Sequence, residues 1–169
     1  MIIDSHVHVF PQGLISNREN LLDRDLTFRT LFSNKNAKMI TTDELIENMD
    51  KESINMSVVL SMGWEDLGII KETNDYIIDS VNRYPDRLIG FAGVNPLHGN
   101  LASNEIDRCY KLGLKGVGEL HPDTQLFNLS DKLIMDNIME VVQDNNMIIN
   151  THSSEPVGHL YDGKGITRP

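Results

Sequence analysis

Ile2-Ile3-Asp4-Ser5-His6-Val7-His8-Val9-Phe10-Pro11-Gln12-Gly13 begins as a β-strand and leaves it through a turn, and both halves bear on the fold. Side chains alternate faces along a strand, so His6 and His8 point the same way, with Cβ atoms roughly 6 to 7 Å apart, and Asp4 shares their face. Two imidazoles so placed can grip one metal ion. The isoleucines ahead of them predict a buried strand, where a histidine pair needs a partner and a divalent metal is the strongest one available. The competing reading is a solvent-exposed pair near a start methionine. The turn is informative for what it lacks. Val9-Phe10-Pro11-Gln12-Gly13 cannot serve as the Gly-rich phosphate turn that follows the first strand of a dinucleotide-binding open sheet.

Beyond the turn, the spacing of apolar residues switches repeatedly between the strand and helix periods. A polar stretch with Asn17, Arg18, Asn34, Lys35 and Asn36 is too long for a simple connector and reads as a functional loop or lid. It leads into a helix starting near Thr42-Asp43-Glu44. Strands are expected over residues 2–9, 54–62, 88–94, 114–120 and 147–152. The helices between them are expected over 69–84, stopped by Pro85, over 104–112, closed by Gly113, and over 130–145. Strands alternating with helices imply right-handed βαβ units and a parallel sheet. Near-continuous apolar runs such as Val58-Val59-Leu60 and Met147-Ile148-Ile149 fit a sheet covered on both faces.

An open doubly wound sheet and part of a (β/α)₈ barrel share this pattern. They differ in where chemistry sits, because a barrel draws its site from the C-terminal ends of several strands. Here the first strand ends in His6 and His8, the third in Asn95-Pro96, the fourth in Glu119-Leu120-His121-Pro122 and the fifth in Thr151-His152. With the Gly-rich turn absent, the expected class is α/β, of the (β/α)₈ barrel type, with about the first five β/α units present.

Glu119 lies in the apolar context Gly116-Val117-Gly118, where a carboxylate is costly to bury without a cation. A metal or a basic partner is implied, and a salt bridge with Lys115 is the plainer alternative. His152, at the polar end of a buried strand, is placed to complete a three-histidine site with His6 and His8. His121 and His159 are candidates for substrate contact; a structural role for His121 and simple exposure for His159 are the alternatives. His98 reads as an exposed loop residue, and Trp64 as a pocket liner or as packing.

With 169 residues, 40% of them apolar, the chain suffices for one ordinary core and is expected to be a single domain. Fifteen basic against 25 acidic residues give a net charge of −10, which argues against nucleic acid or an anionic membrane as a partner and leaves a small-molecule substrate. The single cysteine, Cys109, allows no intramolecular disulfide and reads as a buried structural thiol, consistent with a cytoplasmic protein. Neither a signal peptide nor a membrane span is indicated.

Three motifs together resemble the amidohydrolase superfamily, in its branch of metal-dependent hydrolases and decarboxylases. They are Asp4-Ser5-His6-Val7-His8, the run from Gly113 to Pro122, and Thr151-His152-Ser153-Ser154-Glu155-Pro156-Val157-Gly158-His159. The resemblance implies a distorted (β/α)₈ barrel holding one or two divalent metals, most often zinc, with manganese or iron also suited to the donors. It implies that His6 and His8 are first-strand ligands and His152 a fifth-strand ligand. Glu119 falls where many members carry a lysine, often carboxylated and bridging two metals, so it either bridges directly or belongs to a one-metal site. The family adds a sixth-strand histidine and an eighth-strand aspartate that accepts the proton, and neither is found here. A complete barrel takes about 250 residues, so the expectation is an N-terminal portion of a longer enzyme, inactive or poorly stable alone. Its unpaired strand edges would be open to another chain, and a homo-oligomer is compatible with that. The expected activity is hydrolysis of an amide, ester or lactone, with non-oxidative decarboxylation or a non-catalytic barrel fragment as alternatives.

Overall fold

Short strands rich in Val, Leu, Ile and Phe, separated by amphipathic helices, form one sheet in which every pairing is parallel. In the computed structural model, which describes residues 1–154, 158–161 and 164–166, the chain opens with β1 (Ile3–His8). Three short helices follow, α1 (Gln12–Ser16), α2 (Arg18–Arg24) and α3 (Leu26–Phe32), then α4 (Thr42–Lys51) and β2 (Met56–Leu60). Next come α5 (Leu67–Arg83), β3 (Leu88–Ala92), a 3₁₀ turn (Pro96–His98), α6 (Asn100–Lys111) and β4 (Gly116–Leu120). The chain continues through α7 (Pro122–Gln125), α8 (Lys132–Asp144) and β5 (Ile148–Thr151). The strands lie in sequence order, β1 to β5, as the first five units of a (β/α)₈ barrel do.

Helix starts follow their caps. Thr41 forms a complete capping box with Glu44 ahead of α4, and the Asp66 and Asp131 side chains accept from Ile69 N and Leu133 N at the starts of α5 and α8. Each cap satisfies N–H groups that a helix start leaves without partners. This places α8 at Lys132 rather than at residue 130. The outer face of the sheet packs under α4, α5 and α6 through Leu45, Met49, Val59, Ile77, Leu88 and Leu114. Ile106, Val117, Leu120, Ile138 and Val142 form a second cluster beneath α6 and α8. Each fully buried Leu or Ile contributes about 1.5–3 kcal/mol. Cys109 is a buried free thiol within this layer, and burial pushes its pKa up, so it is inert packing.

The sheet is strongly curled. Glu119 N on β4 donates to Ser61 O, just past β2, at 2.7 Å, although β3 lies between them lower in the sheet. The strand ends approach this closely because Gly93 carries no side chain; a Cβ there would sit 2.2 Å from Met62 O.

Two expectations are corrected. The first strand was expected to be buried, yet Ile2 and Ile3 are 56% and 47% exposed, as is Ile148 of β5 at 62%. β1 and β5 are the sheet edges, with one neighbour each, so apolar side chains there lack a covering layer. The polar stretch after β1 is not a loop: α1 to α3 build their own cluster, in which Phe10, Leu14, Leu21 and Phe28 meet Met62, Trp64 and Ile69. Trp64 is packing, fully buried, with Nε1 donating to Thr73 Oγ1 at 3.2 Å. Among the described residues no helix is long and apolar enough to cross a membrane.

Candidate metal centre

The strands that carry the site are the two whose register slips. Between Asp4 and Val7, three steps on β1 match two on β2, from Ser57 to Val59. Between Val117 and Leu120, three steps on β4 match two on β5, from Ile149 to Thr151. An extra residue in a strand bends it and re-aims neighbouring side chains. In β1 the slip falls at Ser5 and His6, and in β4 at Gly118 and Glu119. Gly118 has φ +140°, and a Cβ on it would lie 2.4 Å from Asn150 O, so only glycine fits. The Gly118–Glu119 peptide bond is cis.

These strand ends converge. His6 Nε2 and His8 Nε2 are 3.1 Å apart, and each lies 3.3 Å from Glu119 Oε2. Glu119 is buried, His8 half-buried and His6 more open. A tetrahedral ion with bonds of about 2.0–2.1 Å holds its donors roughly 3.3 Å apart, so these three atoms fit a single divalent cation. His8 Nδ1 is 3.0 Å from Leu60 O. A carbonyl only accepts, so Nδ1 carries a proton; Nε2 donates to Glu119 while it is protonated, and once that proton is displaced its lone pair faces the same point, as metal ligation requires.

The other carboxylate oxygen faces a third imidazole. His152 Nδ1 is 3.1 Å from Glu119 Oε1, and His152 Nε2 is 3.2 Å from both Ser154 Oγ and Lys164 O. Where Nε2 accepts from the Ser154 hydroxyl, Nδ1–H donates to Glu119; where Nε2–H donates to the Lys164 carbonyl, the Nδ1 lone pair meets the anionic oxygen, and a proton or a metal between them is required. Glu119 therefore stands between two imidazole groups, one oxygen toward each. Burial alone would raise its pKa; the hydrogen bonds and charges of His6 and His8 outweigh it and hold the carboxyl far below the usual range. The hydrogen bond that His6 donates to Glu119 raises the pKa of His6 against the opposing effect of burial.

Of the residues singled out in the sequence, His6, His8, Glu119 and His152 are brought together. His121 joins them: it is 2% exposed, its ring stacks on that of His152 at 3.9 Å and 10°, and burial lowers its pKa. Its backbone is locked by Gln125, whose Oε1 accepts from His121 N and whose Nε2 donates to Val94 O. His159 is exposed, 5.9 Å ring to ring from Tyr161, and outside the cavity lining. Glu155, Pro156 and Val157 of the third motif lie outside the described residues.

A cavity of ≈ 210 Å³ opens beside the cluster, with His8, Glu119, His121 and His152 on its polar side. Leu31, Phe32, Met62 and Tyr161 supply the apolar side. None of these four was anticipated from sequence, although Phe28, Leu31 and Phe32 stand at helical spacing. A larger cavity, ≈ 510 Å³, sits at the opposite ends of the strands around Asp50, Ile54 and Arg87, away from the histidines.

Solved structures with this fold include 5-carboxyvanillate decarboxylase from Novosphingobium aromaticivorans, bound to manganese and 4-hydroxy-3-methoxy-5-nitrobenzoic acid (TM-score 0.74, 19% identity, covering 90% of this chain and 50% of that one). They also include 4-oxalomesaconate hydratase from Rhodopseudomonas palustris (TM-score 0.61, 19% identity, 90% and 52% covered). A probable 2-pyrone-4,6-dicarboxylic acid hydrolase from Acinetobacter baumannii, with citric acid bound, is similar at TM-score 0.57 and 18% identity, 90% and 49% covered. The chain thus spans about half the length of the solved structures it matches. A comparison with curated proteins finds no match. The Amidohydrolase family model matches residues 3–165, nearly the whole chain, and the protein belongs to that family.

Proposed function

We propose that this chain is the N-terminal, metal-holding part of a barrel enzyme that hydrolyses an amide, ester or lactone bond of a small molecule. The observation that carries this reading is the placement of Glu119, with Oε2 facing His6 and His8 and Oε1 facing His152. A divalent cation held there, zinc or manganese, would supply Lewis acidity for polarising a substrate oxygen and acidifying water. His6, His8 and Glu119 would hold that ion, and His152 would be a further donor to it or to a second one. Leu60 O keeps His8 in the tautomer that presents Nε2. Glu119, ionised well into acid, serves foremost as a ligand, since a depressed pKa makes it a weak proton acceptor. In a complete barrel, the eighth-strand aspartate that the resemblance implies would take the proton. Leu31, Phe32, Met62 and Tyr161 exclude bulk water on the substrate side.

Decarboxylation is the second reading. It is favoured by the apolar wall beside the donors and by the fold shared with a manganese-bound decarboxylase of an aromatic acid. Elemental analysis tests the metal centre shared by both. The purified protein takes up one or two equivalents of manganese or zinc, and the His6→Ala/His8→Ala variant takes up none; a folded wild type that stays metal-free sinks both readings. Heavy oxygen from water appearing in the product marks hydrolysis, and release of labelled carbon dioxide marks decarboxylation. Turnover by the 169-residue protein equal to that of a complete barrel would overturn the part-barrel reading.

A further inference from the structure

The segment between β1 and α4 places one aromatic side chain in the cavity beside the donor cluster and holds it there by two polar clamps. At the start of α3, the Asp25 carboxylate, 1% exposed, accepts from Phe28 N at 2.8 Å and from Glu65 N and Asp66 N at 2.7 and 2.9 Å. This ties α3 to the connection between β2 and α5. At the other end, the Arg18 guanidinium donates to Phe32 O at 2.6 and 3.1 Å, to Asn34 O at 2.6 Å and to Ala37 O at 2.9 Å. Carbonyls at a helix end lack N–H partners, so one planar, many-donor group fixes where α3 stops and how the chain leaves it.

What these clamps position is Phe32. Its ring packs edge-on to Phe10 at 5.3 Å and tilted against Phe28 at 5.1 Å and Trp64 at 6.3 Å. It remains half-buried, and it lines the ≈ 210 Å³ cavity across from His8, Glu119 and His152. A small molecule that reaches the donors and fills this cavity has this ring among its apolar neighbours.

We propose that Phe32 is a specificity-determining residue of the site, sorting carboxylates by the apolar body they carry, and that Arg18 is its positioning residue. The inference rests on the metal reading above, and the test separates the two. Manganese uptake is measured first, and the manganese-loaded protein is then titrated with acetate, benzoate and naphthoate. Wild type favours benzoate over acetate. Phe32→Ala keeps the manganese stoichiometry and the acetate affinity and lowers the benzoate-to-acetate ratio about tenfold, the upper size of an aromatic contact. Naphthoate gains relative to benzoate, because the wall has receded. Arg18→Ala lowers the same ratio at unchanged manganese uptake; a purely structural role would weaken acetate and benzoate alike. If Phe32→Ala does not fold, Phe32→Leu, which keeps an apolar side chain, must lower the ratio about threefold. A ratio that stays at the wild-type value in a manganese-loaded Phe32 variant overturns the inference and leaves the metal reading standing. A wild type that takes up no manganese or zinc removes both.

Discussion

Glu105 in the outer helical layer and Glu119 at the mouth of the sheet are both carboxylates drawn away from water, with side chains 16% and 9% exposed, yet their partners differ in kind. Glu105 accepts two hydrogen bonds from Arg108, at 2.7 and 2.8 Å, and one from Asn74 Nδ2 at 2.9 Å. Asn74 is itself fixed, donating to Gly93 O and accepting from Gly93 N. Every one of these donors keeps its proton at any ordinary pH. Among the described residues, the side chains bonded to Glu119 are all imidazoles, whose ring nitrogens can exchange a proton for a metal. A buried carboxylate with permanent donors is complete and serves stability. One surrounded by titrating nitrogens becomes a cation site as those nitrogens give up their protons.

Removing each charge should break the comparison cleanly if it is mistaken. Glu119→Gln is expected to lower manganese or zinc affinity by at least about 100-fold, the loss typical of disturbing a metal site's supporting groups being 10–100-fold. Glu105→Gln should leave that affinity unchanged and destabilise the metal-free protein. Isothermal titration and thermal melts on the same two variants check both halves. Equal destabilisation with equal metal affinity would mean that the two carboxylates do the same work. Next in size, Asn74→Ala leaves Gly93 N and O unpaired in the interior and removes a donor from Glu105. That change should destabilise by about 2–3 kcal/mol, with manganese uptake unaltered, read by urea denaturation.

The outer network was illegible in the sequence, and the mouth was partly legible, for physical reasons. His6 and His8 could be paired because strand alternation is a local rule, and Glu119 stood out because an acid among Gly116, Val117 and Leu120 must find a cation. The five strands and their helices emerged from apolar spacing alone. What alternation could not reveal were the register slips at His6 and Glu119, which depend on β2 and β5, or the bond from Glu119 N to Ser61 O across the curl. Residues 12–32 read as loop because each helix there is too short to show a full apolar face. Their order comes from Asp25 and Arg18, each bonded to groups distant in sequence. The exposure of Ile3 and Ile148 follows from edge position in the sheet, which no single strand encodes.

The pH dependence of metal uptake sharpens the contrast at the mouth. The raised pKa of His6 means that it holds its proton to higher pH than a free imidazole, and a metal must displace that proton. Affinity for manganese should therefore climb as pH rises through the imidazole range, by about tenfold per pH unit for each proton displaced. A flat profile between mildly acid and mildly basic pH would exclude His6 from the ligand set. Glu119 does not contribute to this slope, because its carboxyl is ionised throughout.

The smallest expected effect concerns Glu105 in acid. Burial raises its pKa, but Arg108 and then Asn74 outweigh that and bring it below the ordinary value of 4.5. A carboxyl with a depressed folded-state pKa stabilises the fold above its unfolded value. That contribution is lost as pH falls through the unfolded value toward the folded one. The stability gap between wild type and Glu105→Gln, about 1 kcal/mol near neutrality by the measure of one ordinary hydrogen bond, should accordingly shrink as pH falls below about 4.5. Metal uptake, by contrast, should be lost at higher pH than this, where His6 with its raised pKa takes up a proton. Paired melts of the two proteins through the acid range check the order of events. If the gap closes in the imidazole range instead, Glu105 is coupled to a histidine, and the division between a permanent network and a titrating one fails at the residue chosen to define it.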